Sequence, residues 1–296
     1  MAADYPAPLI IPPLSLPHKQ TFVLLHGRGS SGEEFGPTLL DTPFTCVSRL
    51  QPDFNNTTSL AETFPHARFV FPTAARRRAT IYRRSLTQQW FDNWKLDPPA
   101  AEREELQIPG LHETVLYLHD LLKHEIALVP DGAASIVFGG LSQGCAASLV
   151  ALLLWQGDPF GGFIGMCGWL PFRQRLEEEM EASAVSQEDD FFDRDEAEEP
   201  IFDPAERATR WLRGQIDLPA ISSTTPLLAF KQVPLFFGHG VLDDRVSVIL
   251  GRDASKLLSK VGLSVFWNEY EELGHWYSRD MLRDIVAFLE NNVQLS

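Results

Sequence analysis

A serine set between glycines, in Gly140-Leu141-Ser142-Gln143-Gly144, is the residue of this chain best placed for nucleophilic chemistry. This G-x-S-x-G pattern follows the apolar run Ser135–Phe138 and opens an apolar helical pattern near Cys145. Small residues on both sides allow a tight strand-to-helix turn that exposes the serine. The helix N-terminus then places unpaired N–H groups beside Ser142, where negative charge develops during attack on a carbonyl. This context favours a nucleophile over a glycine-rich turn without catalysis.

A serine hydroxyl also needs a general base, and the base needs a third group to orient it. Two loops in the C-terminal third offer both, because each follows a predicted strand and so lies at the carboxyl edge of the sheet. The first loop contains Asp243 and Asp244, and the second ends at His275. We predict His275 as the base and an aspartate of the first loop as its orienting acid, with the choice between the two neighbours open.

The remaining histidines are weaker candidates. His112, His119 and His124 fall on a helical pattern, and we expect them on its solvated side. His239 lies in the same loop as Asp243, where we expect it to shape the loop and not to ionise in catalysis.

The negative charge that forms on the substrate oxygen requires two backbone donors. The N–H of Gln143, directly after the nucleophile, is one. The second is expected from the glycine-rich junction Leu25-His26-Gly27-Arg28-Gly29, which follows an early strand. Ser30 or Ser31 can cap the helix after it. The junction contains neither G-x-G-x-x-G nor a Walker lysine, so a phosphate cradle is not indicated.

The elements that must position these residues alternate between short apolar strands and helical patterns, which predicts a mostly parallel, doubly wound α/β sheet with helices on both faces. The serine, acid and histidine occur in the chain order of the α/β-hydrolase fold. The predicted strands are Thr21–Leu25, Arg68–Phe71, Ser135–Phe138, Gly162–Met166, Val233–Phe237 and Leu263–Trp267. The predicted helices are His112–Ile126, Cys145–Trp155, Val246–Leu258 and Met281–Leu289.

Two segments interrupt this alternation within the single domain that we predict over residues 1–296. Ala75–Gln89 is a basic connection with five arginines, and 173–229 is a long, acidic, partly disordered insertion. The arginines fit three interpretations: a solvated surface loop, a partner that holds the acidic segment over the site as a lid, or a subsite for an anionic substrate.

Composition limits the class of protein. A hydrophobic fraction of 44% is typical of a packed globular chain. The net charge of -15 argues against nucleic acid, and 13 of those negative charges lie between Glu177 and Glu206, which hold 14 acids and one arginine. Three cysteines, no basic N-terminal leader and no bilayer-length apolar run predict a cytoplasmic protein without an integral membrane segment.

In these motifs the chain resembles the acyl-protein thioesterase, lysophospholipase and small carboxylesterase family. The motifs that carry the resemblance, besides the glycine-rich junction and G-L-S-Q-G, are Trp90-Phe91-Asp92, Trp169-Leu170-Pro171, His239-Gly240-Val241-Leu242-Asp243 and Tyr270-Glu271 with His275. The resemblance implies that Asp243 is the acid of the triad and that the backbone of Arg28 is the second oxyanion donor. It also implies that Trp90 lines the acyl site, with Trp169 and Leu170 nearby.

The predicted function is a serine hydrolase that cleaves carboxylic esters or thioesters through an acyl-serine intermediate. Its substrate would be a small-molecule ester or an acylated protein, and no metal or cofactor is implied. Two departures from the family bear on the substrate: the arginines before Trp90, where thioesterases of the family have an apolar loop, and the acidic insertion. The alternatives are an inactive hydrolase-fold binding protein and an acyltransferase that uses the same triad.

Overall fold

The computed structural model describes residues 4–47, 55–182, 203–220 and 228–293. Its strands in chain order are β1 Leu9–Ile11, β2 Gln20–Leu25, β3 Phe44–Val47, β4 Asn55–Thr58, β5 Ala67–Phe71, β6 Arg76–Ala79, β7 Ser85–Gln88, β8 Ile136–Leu141, β9 Gly162–Met166, β10 Leu235–Gly240 and β11 Val265–Tyr270. Its helices are α1 Gly32–Leu40, α2 Leu60–Thr63, α3 Ile108–Ile126, α4 Gln143–Leu153, α5 Arg173–Glu181, α6 Pro204–Gln215, α7 Val248–Val261 and α8 Arg279–Asn292.

Seven strands form the central sheet in the order β1-β5-β2-β8-β9-β10-β11. All neighbours in this sheet are parallel except β1, which runs antiparallel to β5. Strand β2 is buried along its whole length, because alternate side chains face two separate cores. Phe22 and Leu24 belong to one core, and Val23 and Leu25 to the other. A strand covered on both faces is therefore a continuous apolar run, which is why its position was predictable.

Helices cover both faces of the sheet. Helices α3, α4 and α7 pack on one core, and α1 and α8 pack on the other. The predicted mostly parallel α/β sheet with helices on both faces is confirmed. None of the helices in the described ranges combines the length and the apolar character that a bilayer span requires.

The basic segment Ala75–Gln89, predicted only as a connection, forms a two-stranded hairpin of β6 and β7. Arg83 and Arg84 adopt left-handed backbone angles at its tip, with φ of 52° and 64°. Arg77 forms an ion pair with Glu113 of α3, and the other four arginines are exposed. Four of the five arginines are thus solvated.

The predicted insertion contains two described helices, which pack on the main core. Leu176 of α5 and Leu212 of α6 are buried in the same core as α3 and α4. Residues 183–202 and 221–227, with much of the acidic segment and its predicted disorder, lie outside the described residues. The single-domain organisation with an insertion at 173–229 therefore stays a prediction.

His112 and His119 of α3 correct one expectation, because neither lies on the solvated side of the helix. Nδ1 of His112 donates to the carbonyl oxygen of Ile216 at 2.9 Å. His119 contacts α4. Its Nε2 donates a hydrogen bond to the carbonyl oxygen of Ala151 at 2.9 Å. Its ring packs edge-on against Trp155 with the centroids 5.2 Å apart. His119 therefore joins α3 to α4 and to the turn after α4. His124 is exposed, as expected.

Candidate active site

Ser142 lies at the sharp turn between β8 and α4. Its backbone has φ 56° and ψ −122°, a combination that residues other than glycine rarely adopt. The flanking glycines make room for the turn. A Cβ on Gly140 would lie 2.7 Å from the carbonyl oxygen of Leu25, and one on Gly144 would lie 2.5 Å from those of Leu25 and His26. The G-x-S-x-G pattern is therefore a steric requirement of this turn beside β2.

The structure brings Ser142, His275 and Asp243 together in one hydrogen-bonded series. Nε2 of His275 lies 2.8 Å from Oγ of Ser142, and Nδ1 lies 2.7 Å from Oδ2 of Asp243. The side chain of Asp243 is fully buried, whereas Asp244, the open alternative, is exposed. This placement agrees with the predicted triad, and the catalytic roles of the three residues belong to the function proposed below.

The carboxylate of Asp243 is held by four donors. Oδ1 accepts the backbone N–H groups of Arg245 and Val246 at 2.9 and 2.8 Å, and Oδ2 lies 3.2 Å from Nε2 of His239 as well as close to His275. Burial acts to raise the pKa of Asp243, but the hydrogen bonds from His239, His275 and Val246 outweigh it, so the pKa lies well below its usual value. The acid is thus an anion that orients the imidazole ring of His275.

His239 shapes the loop of the acid, as expected from its position. Its side chain is fully buried, and its single Nε2–H is shared between the carbonyl oxygen of Val246 at 2.8 Å and Oδ2 of Asp243 at 3.2 Å. A second contact joins this loop to the one that carries His275, since the N–H of Leu242 donates to the carbonyl oxygen of Leu273 at 3.0 Å. The acid and the histidine are therefore set by two loops that support each other.

The two predicted oxyanion donors, the N–H groups of Arg28 and Gln143, flank the serine. Gln143 is the first residue of α4, where a backbone N–H has no acceptor within the helix. Arg28 follows Gly27, at which an added Cβ would lie 3.3 Å from Cβ of Ser142. Both residues line the same cavity as Ser142. Their roles as donors stay predictions.

His26 fixes the glycine-rich junction above the serine. Its Nε2 accepts the N–H of Ala74 at 3.0 Å, so Nδ1 carries the proton that is donated to the carbonyl oxygen of Gly27 at 2.7 Å. The carbonyl oxygen of His26 accepts the indole N–H of Trp90 at 2.8 Å. Burial lowers the pKa of His26 to about 4, which keeps the ring neutral and this arrangement intact at neutral pH.

We expect the free energy of unfolding to fall as the pH is lowered from about 6.5 to about 4. Burial lowers the pKa of both His26 and His119 to about 4, whereas the unfolded chain binds these protons near the ordinary value of 6.5. Between these two pH values the unfolded chain binds protons that the folded chain does not. This uptake lowers the free energy of unfolding by about 3 kcal/mol for the fully buried His26 and by less for the half-buried His119. Urea denaturation across this pH range measures the decrease.

His119→Gln isolates the contribution of His119 to this pH dependence, because glutamine does not titrate and its amide can still donate to the carbonyl oxygen of Ala151. The variant should show a shallower pH dependence of stability than the unaltered protein. Equal slopes in the two proteins would contradict the assignment of this acid sensitivity to the buried histidines.

Gln143 links the turn that contains Ser142 to the segment that begins at Trp90. Its side-chain oxygen accepts the backbone N–H of Trp90 at 3.0 Å. Its amide nitrogen donates to the carbonyl oxygen of Phe91 at 2.8 Å and to Oδ1 of Asn93 at 3.0 Å. The carboxylate of Asp92 in turn accepts the backbone N–H and the hydroxyl of Thr80. Two motifs that are 50 residues apart in the sequence are therefore one hydrogen-bonded unit.

A cavity of about 580 Å³ opens onto Ser142 and His275. The sequence did not predict most of its wall, which includes Phe35, Ile81, Tyr82, Asn93, Trp94, Leu96, Arg245, Val246 and Trp276. The sequence could have indicated two of these residues as part of the site, because Trp94 closely follows the W-F-D motif and Trp276 directly follows His275.

The predicted substrate residues are divided between this wall and the core. Trp169 lines the cavity. Trp90 does not line it, contrary to our expectation, because the ring is fully buried and its N–H is used by His26. Leu170 is also buried and lies outside the lining. Within the described ranges, no group of three or more His, Cys, Asp or Glu side chains is arranged to hold a metal ion.

Comparison with known families decides the relationship. The sequence model of a family described as phospholipase/carboxylesterase matches residues 7–195. The chain belongs to this family. The predicted recognition is confirmed, and with it the prediction of an enzyme that hydrolyses carboxylic esters or thioesters.

Relatives of this phospholipase/carboxylesterase chain are similar over nearly its whole length. Acyl-protein thioesterase 1 of Yarrowia lipolytica is 26% identical over 98% of this chain and 99% of its own. A probable carboxylesterase of Oryza sativa subsp. japonica is 23% identical over 94% of this chain and 79% of its own. Among solved structures, Zea mays acyl-protein thioesterase 2 is similar with a TM-score of 0.63 and 21% identity, over 97% of this chain and 99% of that one. This structural likeness shows the shared fold.

Proposed function

We propose that this chain cleaves carboxylic esters or thioesters through an acyl-enzyme formed on Ser142. The observation that carries the proposal is the hydrogen-bonded series from Ser142 through His275 to Asp243, with its serine end open to the cavity. A nucleophile, a base within hydrogen-bond reach and an acid that orients the base are the parts that acyl transfer requires.

In the first half of the reaction Oγ of Ser142 attacks the carbonyl carbon and transfers its proton to Nε2 of His275. Because Asp243 is an anion that accepts from Nδ1, this nitrogen carries the proton of the neutral ring and leaves Nε2 free to act as base. The N–H groups of Arg28 and Gln143 donate to the oxyanion of the tetrahedral intermediate. His275 then donates its new proton to the departing alcohol or thiol.

The second half repeats the chemistry with water in place of the serine. His275 accepts a proton from the attacking water molecule, the hydroxide adds to the acyl carbon, and the serine leaves with the proton that His275 returns. The products are the carboxylic acid and the free enzyme. An alcohol in place of water would give acyl transfer, so the acyltransferase alternative differs at this step alone.

The names of the relatives support two substrate classes, S-acylated proteins and small carboxylic esters. The cavity has the size of a small-molecule site, for which volumes of roughly 300–1,000 Å³ are typical. A substrate that is an acylated protein or a small-molecule ester, and a cytoplasmic location, are parts of the same proposal.

Covalent labelling with a fluorophosphonate probe tests the proposal. We expect the unaltered protein to be labelled and Ser142→Ala to remain unlabelled, because the probe reacts with an activated serine. Ser259→Ala is the matched control, since this serine lies on α7 and donates to the backbone of its own helix. A protein that resists the probe would favour the inactive, binding interpretation instead.

A series of 4-nitrophenyl esters then distinguishes the substrate classes. Faster hydrolysis of acetyl and butyryl esters than of the palmitoyl ester would oppose protein depalmitoylation and support a small carboxylic ester. Product analysis in the presence of added alcohol separates hydrolysis from acyl transfer, because a transferase converts the alcohol to a new ester.

A further inference from the structure

We propose that the cavity selects esters or thioesters that carry a second, anionic group, a carboxylate or a phosphate, which the guanidinium of Arg28 binds. Arg245 at the rim adds positive charge to the same subsite. This inference rests on the proposed function, because it names the substrate class of that site.

The charges on the cavity wall are unbalanced. Arg28 and Arg245 both line the cavity, and no aspartate or glutamate occurs among the described residues that line it. Neither guanidinium forms an ion pair with a carboxylate within the described ranges. A cationic wall beside the nucleophile attracts a substrate of opposite charge.

Arg28 has an unused donor. Its Nε–H is buried and has no acceptor among the residues that the structure describes. The guanidinium lies over the ring of Tyr82, with Cζ 5.7 Å from the ring centroid, and it also forms a hydrogen bond with the Tyr82 side chain. Neither contact provides an acceptor for Nε–H. An anionic oxygen of the substrate would supply the missing acceptor.

The groups around Arg28 leave its charge available. Burial lowers the pKa of Arg28 from its ordinary value, whereas the electrostatic interaction and hydrogen bond with Tyr82 and the charge of Asp92 act in the opposite direction. The carboxylate of Asp92 already accepts two hydrogen bonds from Thr80, and it forms no ion pair with Arg28. The guanidinium is therefore partly desolvated without a direct counter-ion, and both properties favour binding of an anion.

Arg245 has a different place in the subsite. Its backbone N–H donates to Oδ1 of Asp243, while its side chain is exposed at the edge of the cavity. An exposed charge contributes by attraction over a distance, which salt weakens beyond roughly 8 Å. We assign binding to Arg28 and attraction to Arg245.

The hairpin arginines do not form this subsite. None of the five, Arg76, Arg77, Arg78, Arg83 and Arg84, lines the cavity, although the hairpin was one predicted place for anion recognition. The hairpin turn instead contributes Ile81 and Tyr82 to the wall. Any anion-binding role at this site therefore falls to the glycine-rich junction and the loop of the acid.

Three matched substrate pairs test the inference and locate the anion. Mono-4-nitrophenyl adipate against 4-nitrophenyl hexanoate places a carboxylate on the acyl side. 4-Acetoxybenzoate against its methyl ester places a carboxylate on the leaving group. 1-Butyrylglycerol 3-phosphate against 1-butyrylglycerol tests a phosphate. The measured quantity is the ratio of kcat/KM for the anionic substrate to kcat/KM for its neutral partner, so that any general change in activity cancels.

We expect Arg28→Gln to lower this ratio about 10- to 100-fold in at least one pair, mainly through a higher KM for the anion. Arg28→Lys should restore part of the ratio, because it keeps the charge and loses the planar fork. Arg245→Gln should lower the ratio about threefold at low salt and have no effect at high salt. Arg76→Gln, the same change of charge at an exposed hairpin position, is the matched control and should leave the ratio unchanged.

An unchanged ratio for Arg28→Gln in all three pairs, with neutral esters still hydrolysed, overturns this inference and leaves the proposed function intact. The proposed function itself is overturned if the unaltered protein hydrolyses none of the six compounds, or if it does not react with fluorophosphonate. Should Arg28→Gln not fold, the unaltered protein decides: the ratio must fall as salt is raised from about 0.05 to about 0.5 M, and a constant ratio rejects the subsite.

Discussion

Ser142→Ala is expected to lower kcat for ester hydrolysis by about 10⁴- to 10⁶-fold, and His275→Ala by a similar factor. The alanine at 142 removes the atom that attacks, and the alanine at 275 leaves the serine without the base that lies 2.8 Å from its Oγ. The double variant should lose no more than either single one, because nucleophile and base act as one unit. Steady-state kinetics with 4-nitrophenyl butyrate measures all three proteins.

Multiplicative losses in the double variant would contradict this prediction, since they would mean that the two residues contribute independently. Ser259→Ala, the same change on α7, controls for the loss of a hydroxyl and should keep the activity of the unaltered protein.

Asp243→Asn is expected to lower kcat by about 10³- to 10⁴-fold while the protein stays folded. An asparagine amide facing Nδ1 of His275 donates where the carboxylate accepts, so the ring proton moves to Nε2 and the base can no longer accept from Ser142. The same change places an amide nitrogen 3.2 Å from Nε2 of His239, where Oδ2 now lies, and this adds a loss of stability. The remaining amide oxygen can still accept the backbone N–H groups of Arg245 and Val246.

Asp244→Asn is the matched control because it makes the same change of charge at the exposed neighbour. It should change kcat by no more than about twofold, as is usual for an exposed charge. Equal losses from the two variants would contradict the assignment of Asp243 as the orienting acid. Thermal denaturation of both variants separates loss of catalysis from loss of fold.

The sequence predicted the buried strands because burial on both faces produces continuous apolar runs. Strand β9, Gly162–Met166, has the predicted bounds. Strand β8 was predicted to end at Phe138 but continues to Leu141, because Gly139 and Gly140 pair with β9 although glycine has a low strand propensity. A Cβ on Gly139 would lie 1.9 Å from the carbonyl oxygen of Ile164, so the neighbouring strand requires this glycine.

The sequence did not predict the hairpin of β6 and β7, because its turn lacks the residues that usually indicate one. Tight turns are found in sequences through glycine and asparagine, which adopt positive φ at low cost. Here Arg83 and Arg84 take that conformation. The strands themselves contain arginine, serine and glutamine, and only one of their eight residues is buried, so no apolar alternation indicated them.

The three residues of the triad were predictable because their types and their order in the chain restrict the chemistry. The cavity wall was less predictable, because packing decides which way each side chain points. Ser142, Asp243 and His275 lie after β8, β10 and β11, at the sheet edge that the alternation of strands and helices implied. Which tryptophan of the stretch after β7 faces the cavity depends on tertiary contacts. The bond to His26 turns Trp90 into the core, and Trp94 lines the cavity in its place.

The contacts of Gln143 and Asp92 have a consequence for how this enzyme can diverge. They fasten one part of the cavity wall to the nucleophile turn, whereas the tip of the hairpin, Arg83–Leu86, is exposed to solvent. Mutations can accumulate at that tip in a gene lineage without displacing Ser142, and the tip adjoins Tyr82 of the cavity wall. Substitutions at the tip can therefore alter substrate preference only by moving Tyr82, and a library randomised over those four positions would test this route.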